Sequence, residues 1–270
     1  MNYVRITIDC KEPESEILIA LLADMNYEGF ETADTYIHAY INEQAFDPQA
    51  LATLLEAQGV TASISNIEKR NWNEEWERNF QPVIVEGFCT VRADFHQIDI
   101  NTPFEIVITP KMSFGTGHHA TTQLMMEAMR QTNFTGKRVL DFGTGTGILA
   151  ILAAMLQAAE IHAVDNEEWA CENARENAMR NLVPHIKTLL GSLENVKEEN
   201  IGVLLANINR HVLISYMDLM YSKIVAGGLL LLSGILNEDE LIIRERAAEA
   251  GFKFIESKGR GNWLLMRFLK

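Results

Sequence analysis

The sequence is poor in cysteine. Cys10, Cys89 and Cys171 are the only three in 270 residues. They are far apart, odd in number and form no CxxC, so a disulfide framework is excluded and a reducing cytoplasm is expected. Long apolar runs are also missing. The longest, Ile148 to Leu156 and Val225 to Leu232, fall short of the roughly 18 residues a membrane span needs. The opening stretch MNYVRITIDCKEPE turns acidic where a signal peptide would need an apolar core, so a soluble, cytoplasmic protein is expected, with no membrane partner. Basic residues are scarce as well: 23 Lys+Arg against 37 Asp+Glu give a formal net charge of −14. Phosphate binding is driven by Lys and Arg, so no direct nucleic-acid partner is expected and a cationic one suits the chain better. There is no internal repeat and no low-complexity segment. At 47% apolar and 22% charged residues the composition is that of a globular protein.

The first stretch predicts strand, helix, strand, strand, helix, strand. Val4, Ile6 and Ile8 alternate with Arg5 and Thr7, the period of a half-buried strand. Pro13 suits the first position of a helix, and Ile17, Leu18, Leu21, Leu22 and Met25 then recur on one helical face. Residues 29–32 and 36–41 predict a strand pair around an acidic turn. Asp47-Pro48 opens a second helix carrying Leu51, Leu54 and Leu55 and ending at Gly59, and residues 61–67 give a last strand. This order is the ferredoxin-like split βαβ pattern, which hosts many functions and decides none. A small α+β domain is therefore expected over 1–67. Residues 70–80 predict a charged helix with Trp72, Trp76 and Phe80 along one face, more suited to packing on a neighbour than to holding a ligand. The segment 68–81 is a helical linker in this scheme, stopped by Pro82.

From 82 to 270 strands come first (83–86, 89–93, 104–109) and then alternate with helices. The expected strands are 138–141, 161–165, 186–190, 203–206, 229–233, 252–256 and 263–268, with helices at 148–156, 167–181, 212–225 and 238–250. Such alternation predicts an α/β, doubly wound, mostly parallel sheet. The short turn 258–262 makes the last two strands an antiparallel pair, because parallel neighbours need a longer crossover.

The run Asp141-Phe142-Gly143-Thr144-Gly145-Thr146-Gly147 ends a strand and opens a helix, where open α/β sheets bind ligands. A dinucleotide fingerprint would need its third glycine at position 148, which is Ile148. No GK[ST] follows, which excludes a P-loop. Asp141 stands two residues before the first glycine. A carboxylate there repels pyrophosphate but accepts hydrogen bonds from an ammonium, and S-adenosylmethionine carries an ammonium and no phosphate. Asp165, 22 residues after Gly143 (165 − 143), ends the next strand and is placed to accept both ribose hydroxyls. The set favours S-adenosylmethionine over NAD. Asn207 follows the apolar strand 203–206, which would neighbour the first strand of the sheet. Its carbonyl is suited to orienting a substrate amine, and the alternative role is a helix N-cap.

Taken together, these residues resemble the class I S-adenosylmethionine-dependent methyltransferases. The segment Phe114-Gly115-Thr116-Gly117-His118-His119-Ala120-Thr121-Thr122 narrows this. It resembles the FGTGxHxTT signature of the ribosomal protein L-eleven methyltransferases (PrmA type), and the likeness runs over nearly the whole chain. The resemblance implies a Rossmann-like methyltransferase sheet with its last strand antiparallel, a linker, and an N-terminal substrate-recognition domain. It implies methyl transfer to lysine ε-amino and N-terminal α-amino groups of one basic large-subunit ribosomal protein. It also implies cofactor contacts at Thr122, Gly143, Asp165 and Asn207. Departures are Met112-Ser113 before the phenylalanine, Ala120 in place of a common Pro or Glu, and Asn209-Arg210-His211 after the ANI tripeptide.

The residues suggest more besides. Two glycines flanking Thr116 make a mobile turn able to lie over the cofactor, so Phe114, Gly115, Thr116 and Gly145 join Asp141 as candidate cofactor contacts, and Asn207 is the candidate catalytic residue. His118 and His119 are adjacent, which points them apart, and no third metal ligand is spaced to join them; no metal is assigned. Thr121 and Thr122 also suit the N-cap and first turn of a helix. Methyl transfer is an in-line displacement governed by proximity and orientation, so no dedicated strong base is expected. Competing functions are a methyltransferase acting on another protein or a small molecule, a non-catalytic S-adenosylmethionine-binding assembly factor, and an NAD-dependent oxidoreductase.

Overall fold

The computed structural model describes residues 3–11, 14–33, 35–67, 81–96, 102–109 and 115–270. The chain divides into two compact units, 1–76 and 77–270. The expected linker helix, with Trp72, Trp76 and Phe80, lies outside the described residues.

The first unit contains β1 (Tyr3–Asp9), α1 (Glu14–Asp24), β2 (Gly29–Ala33), β3 (Tyr36–Asn42), α2 (Pro48–Gln58) and β4 (Ala62–Ile67). The strands form one antiparallel sheet in the order β2-β3-β1-β4. Alternation does the sorting: Val4, Ile6 and Ile8 of β1 and Ile37, Ala39 and Ile41 of β3 are buried against Leu18, Leu22 and Leu51 of the helices. Asp47 caps α2 by accepting from the amides of Gln49 (2.8 Å) and Ala50 (3.1 Å), and Pro48 fills the first helical position. Gly59, at φ 67°, closes the helix in the left-handed region.

The second unit begins with a three-stranded sheet, β5 (Val83–Val85), β6 (Cys89–Ala93) and β7 (Phe104–Ile108). A seven-stranded sheet follows. Its strands are β8 (Arg138–Phe142), β9 (Glu160–Asp165), β10 (Lys187–Leu190), β11 (Ile201–Asn207), β12 (Ile224–Leu236), β13 (Lys253–Arg260) and β14 (Trp263–Leu269). The helices are α3 (Ala120–Arg130), α4 (Ile148–Met155), α5 (Glu168–Arg180), α6 (Arg210–Lys223) and α7 (Glu240–Ala250). The order is β10-β9-β8-β11-β12-β14-β13, with β14 antiparallel to both neighbours. This is the expected doubly wound sheet. β11 is buried over its whole length, as a central strand covered on both faces must be. The strand order reverses between β8 and β11, so the crevice above their carboxyl ends is the place for a ligand.

Two boundaries differ from expectation. α6 ends at Lys223, and the sheet takes up the chain from Ile224, four residues before Gly228. Ile224 pairs with Ile201, and the register shifts between Ile201 and Val203, so a helical-looking apolar run is drawn into the sheet. The last hairpin is tighter than the five-residue turn expected. Lys258, Gly259 and Arg260 remain in β13 and pair with Leu265, Leu264 and Trp263, leaving Gly261-Asn262 as the turn. No helix among the described residues is long and apolar enough to cross a membrane.

Candidate active site

The glycine loop leaves β8 at Phe142 and enters α4 at Ile148. Gly143, Gly145 and Gly147 all hold positive φ (76°, 53° and 81°), a region L side chains enter only with strain. At Gly143 space is the stricter limit, because a Cβ there would lie 2.2 Å from Cγ2 of Ile208. Ile208 is wedged from the other side too: a Cβ on Gly234 of β12 would lie 2.3 Å from its carbonyl oxygen. Ile208 of the Ala-Asn-Ile turn is thus clasped between two glycines. Gly234, which the sequence did not single out, is needed for that contact.

Asp141 is 1% exposed beneath this loop. Its Oδ2 accepts from the Thr144 hydroxyl at 2.6 Å, whereas its buried Oδ1 has no protein partner. Burial pushes its pKa up to about 7; the hydrogen bond from Thr144 and the nearby Ala150 amide oppose this, and the Asp165 charge adds to it. Asp165, half-buried at the end of β9, braces the loop. Its Oδ2 accepts from the Gly145 amide (2.9 Å) and its Oδ1 from the Glu167 amide (3.1 Å). Each oxygen keeps a further lone pair for a ligand hydroxyl.

Asn207 closes β11 at 8% exposure. Its Nδ2 donates to the Thr122 hydroxyl at 3.3 Å, while its buried Oδ1 has no protein partner. The N-cap role open to Asn207 falls to Asn209 instead, whose side chain accepts from the Val212 amide at 3.0 Å. Thr122 is fully buried in the first turn of α3. The cap of α3 is neither Thr121 nor Thr122 but His119: its Nδ1 lies 2.7 Å from the Thr121 hydroxyl and accepts from the Thr121 amide at 3.3 Å. Burial pushes the His119 pKa down to about 4, and its ring sits edge-on to Trp263. His118 turns elsewhere, with Nε2 2.7 Å from the Gln81 carbonyl and Nδ1 3.1 Å from the Thr116 hydroxyl. The two histidines therefore serve different partners. Among the described residues no group of three His, Cys, Asp or Glu is placed to hold a metal.

Phe114 lies outside the described residues. Gly115 and Thr116 are half-buried, and the Gly115 carbonyl accepts from the Thr146 hydroxyl at 2.6 Å. The structure thus links Gly115 to the glycine loop through Thr146, which the sequence did not single out. It equally brings in an asparagine ladder on α5. Asn177 takes the Thr109 amide on its Oδ1 (2.8 Å) and donates to the Thr146 carbonyl (2.9 Å). One turn on, Asn181 takes the Val107 amide (2.8 Å) and donates to the Val107 carbonyl (2.6 Å). These side chains complete the free edge of β7 as a neighbouring strand would. The signal was visible as Asn173, Asn177 and Asn181 at intervals of four, one face of a helix.

Orphaned acceptor oxygens on Asp141 and Asn207, at the ends of adjacent strands, are suited to N–H donors. The glycine turn between them carries only two side chains, Thr144 and Thr146, whose hydroxyls are turned onto Asp141 and the Gly115 carbonyl. An ammonium-bearing nucleoside fits this donor demand; a pyrophosphate would face a buried carboxylate.

The family model described as Ribosomal protein L11 methyltransferase (PrmA) matches residues 6–270. A Porphyromonas gingivalis protein named ribosomal protein L11 methyltransferase is 40% identical, the match covering 95% of this chain and 91% of that protein. A protein of the same name from Phocaeicola vulgatus is 34% identical over 100% of this chain and 99% of its own. The crystal structure of ribosomal protein L11 methylase from Lactobacillus delbrueckii subsp. bulgaricus is similar with a TM-score of 0.66 and 26% identity, covering 71% of this chain and 99% of that chain.

Proposed function

The chain belongs to the ribosomal protein L11 methyltransferase (PrmA) family, and from that premise we propose that it transfers methyl groups from S-adenosylmethionine to lysine ε-amino and N-terminal α-amino groups of ribosomal protein L11. The observation that carries this is the pair of unpartnered, buried acceptors, Asp141 Oδ1 and Asn207 Oδ1, flanking a glycine turn at the switch point of the sheet.

When bound, S-adenosylmethionine supplies an activated methyl group on a sulfonium. Asp141 would hold the ammonium of its amino-acid end, and Asp165 the ribose hydroxyls. Gly143 and Gly145 let the backbone approach closely, with Thr122 and the Gly115–Thr116 turn completing the enclosure. Asn207 has the reacting role: its free Oδ1 accepts a hydrogen bond from the incoming amine and so aims the nitrogen lone pair. Thr122 fixes the amide by accepting from Nδ2, which leaves the carbonyl side to the substrate. A lysine amine, with an ordinary pKa of about 10.4, must arrive neutral. Entry into a crevice floored by buried residues disfavours the ammonium form, so the amine gives its proton to bulk water before it enters and no strong base is needed in the site.

The excess acid suits a basic substrate. Residues 1–76 contain 4 Lys+Arg and 14 Asp+Glu, a net −10 of the chain's −14, so the first unit holds most of the field that would attract it. Incubation of the purified protein with methyl-labelled S-adenosylmethionine and L11, followed by location of the label, tests the function. Label on L11 amines is expected. Label on a small amine alone, or cofactor binding without transfer, would overturn it. An NADH titration showing nicotinamide binding would overturn the cofactor.

A further inference from the structure

We propose that Arg210 and Asp239 are positioning residues for methyl transfer: their ion pair holds the turn that presents Asn207 to the substrate amine.

The Asn207 side chain donates one long bond, 3.3 Å to the Thr122 hydroxyl. Its aim therefore depends on the backbone as well, and the backbone turns sharply here: β11 ends at Asn207 and α6 begins at Arg210. Asn207 pairs with Ser233 of the parallel strand β12, so the turn after β11 lies beside the turn after β12. Ile208 is seated between them. A Cβ on Gly234 would lie 2.9, 2.8 and 2.3 Å from the Ile208 nitrogen, carbonyl carbon and carbonyl oxygen. Contacts of this kind stop the turn from moving inward. Dispersion alone holds it only weakly against lifting away.

The ion pair supplies the pull. Arg210, the first residue of α6, donates from Nη1 to Asp239 Oδ1 at 2.5 Å. Asp239 is 5% exposed and is itself anchored. Its Oδ2 accepts from the Leu236 amide at 2.9 Å. Asn237, in the same 3₁₀ turn, donates from its amide to the Asn262 carbonyl (2.8 Å) and from Nδ2 to the Gly261 carbonyl (2.9 Å). One end of the pair is thus tied to the β13–β14 hairpin, and the other closes the turn that starts at Asn207. A charge-assisted bond is short and directional, and a buried carboxylate left without its cation is costly, so the pair resists opening. Arg210 is also one of the departures from the family pattern, and seating Ile208 gives that departure a use.

The proposal rests on Asn207 orienting an amine, so one readout is independent of turnover. In full-length protein, Arg210→Met and Asp239→Asn each break the pair, and Arg210→Lys keeps a cation able to make its one bond. Two controls leave it intact: Asp218→Asn, which breaks the 2.5 Å pair of Asp218 with Arg246 between the same two helices, and Ile243→Val in the core beneath α7. Backbone hydrogen exchange over residues 206–213 is read by mass spectrometry without cofactor. It is expected to rise about tenfold in the two pair-breaking variants and by less than about twofold in Arg210→Lys and the controls. On L11, kcat is expected to fall about tenfold in the same two variants, while KM and S-adenosylmethionine affinity move by less than about twofold. The double variant should lose no more than either single one, because both remove one interaction. Arg210→Lys should recover most of the turnover. Unchanged exchange, additive losses in the double variant or equal losses in the controls would overturn the proposal. A displaced pH profile of kcat/KM in Arg210→Met would overturn it too, since the guanidinium would then act by its charge on the amine. Should Arg210→Met not fold, Asp239→Asn against Arg210→Lys decides alone. If the wild-type protein left L11 unlabelled, the reading of the reaction would fail, and exchange would still decide whether the pair holds the turn.

Discussion

Thr146 and Gly115, 31 residues apart, are joined by a 2.6 Å hydrogen bond from hydroxyl to carbonyl. The turn ahead of α3 and the turn ahead of α4 are thereby one unit. A Cβ at Gly115 would lie 3.1 Å from that hydroxyl, so the approach is close as well as bonded. The Thr146 carbonyl is held in turn by Asn177.

Thr146→Val keeps the shape and removes the donor, leaving the Gly115 carbonyl without this partner. The loss of one buried bond is worth about 1–2 kcal/mol, or about tenfold in binding if it falls on the bound state. The expected result is S-adenosylmethionine affinity weakened by about that factor, measured by calorimetry, with a thermal midpoint lowered by only a few degrees. Unchanged affinity would show that the two turns are independent.

Asp141 gives a stability prediction whose sign is opposite to that of an ion-paired carboxylate. Its folded pKa, about 7, lies above the ordinary value of 3.8. Between those limits the folded state holds a proton that the unfolded state has lost, so stability falls as pH rises and the full cost is present above about pH 7. Asp141→Asn should therefore raise the thermal midpoint of the cofactor-free protein at pH 8 and lose that advantage near pH 4. Added S-adenosylmethionine should stabilise the wild type more than the variant, because its ammonium favours the ionised carboxylate. A variant less stable at pH 8 than at pH 4, relative to wild type, would contradict the assignment.

The sheet was legible because strands such as Val203-Leu204-Leu205 are short, apolar and separated by glycine-bearing turns. Asp141, the loop glycines, Asp165 and Asn207 were legible because each sits at a strand end, where topology alone delivers it to the crevice. What sequence spacing could not supply was contact between distant turns. The Ile208 clasp needs Gly143 and Gly234 together, and the bond from Thr146 to Gly115 joins loops that no local pattern relates. His119 displaced Thr121 and Thr122 as the cap of α3, since an imidazole nitrogen accepts from the second helical amide as well as a hydroxyl does. The Ile224 strand start was hidden because a short apolar run after a helix reads equally as helix or strand.

Asn207→Ala removes the acceptor that would aim the amine and leaves the Thr122 hydroxyl without its donor. Misorientation of a reacting nitrogen costs about 100-fold in turnover. The expected result is a fall in kcat on L11 of that order with a smaller change in S-adenosylmethionine affinity. Thr122→Val, which frees the amide to turn, should fall between the variant and wild type. If Asn207→Ala left turnover intact, the amine would have to be oriented by backbone carbonyls instead.

Charge on the first unit sets an expectation for kinetics. With a net −10 over residues 1–76, attraction of a basic protein acts before contact and is screened over about 10 Å at 0.1 M salt. The association rate of L11, read by stopped flow, should fall by about tenfold or more between low and high salt, while its dissociation rate moves less. A rate indifferent to salt would mean that the acidic surface does no steering.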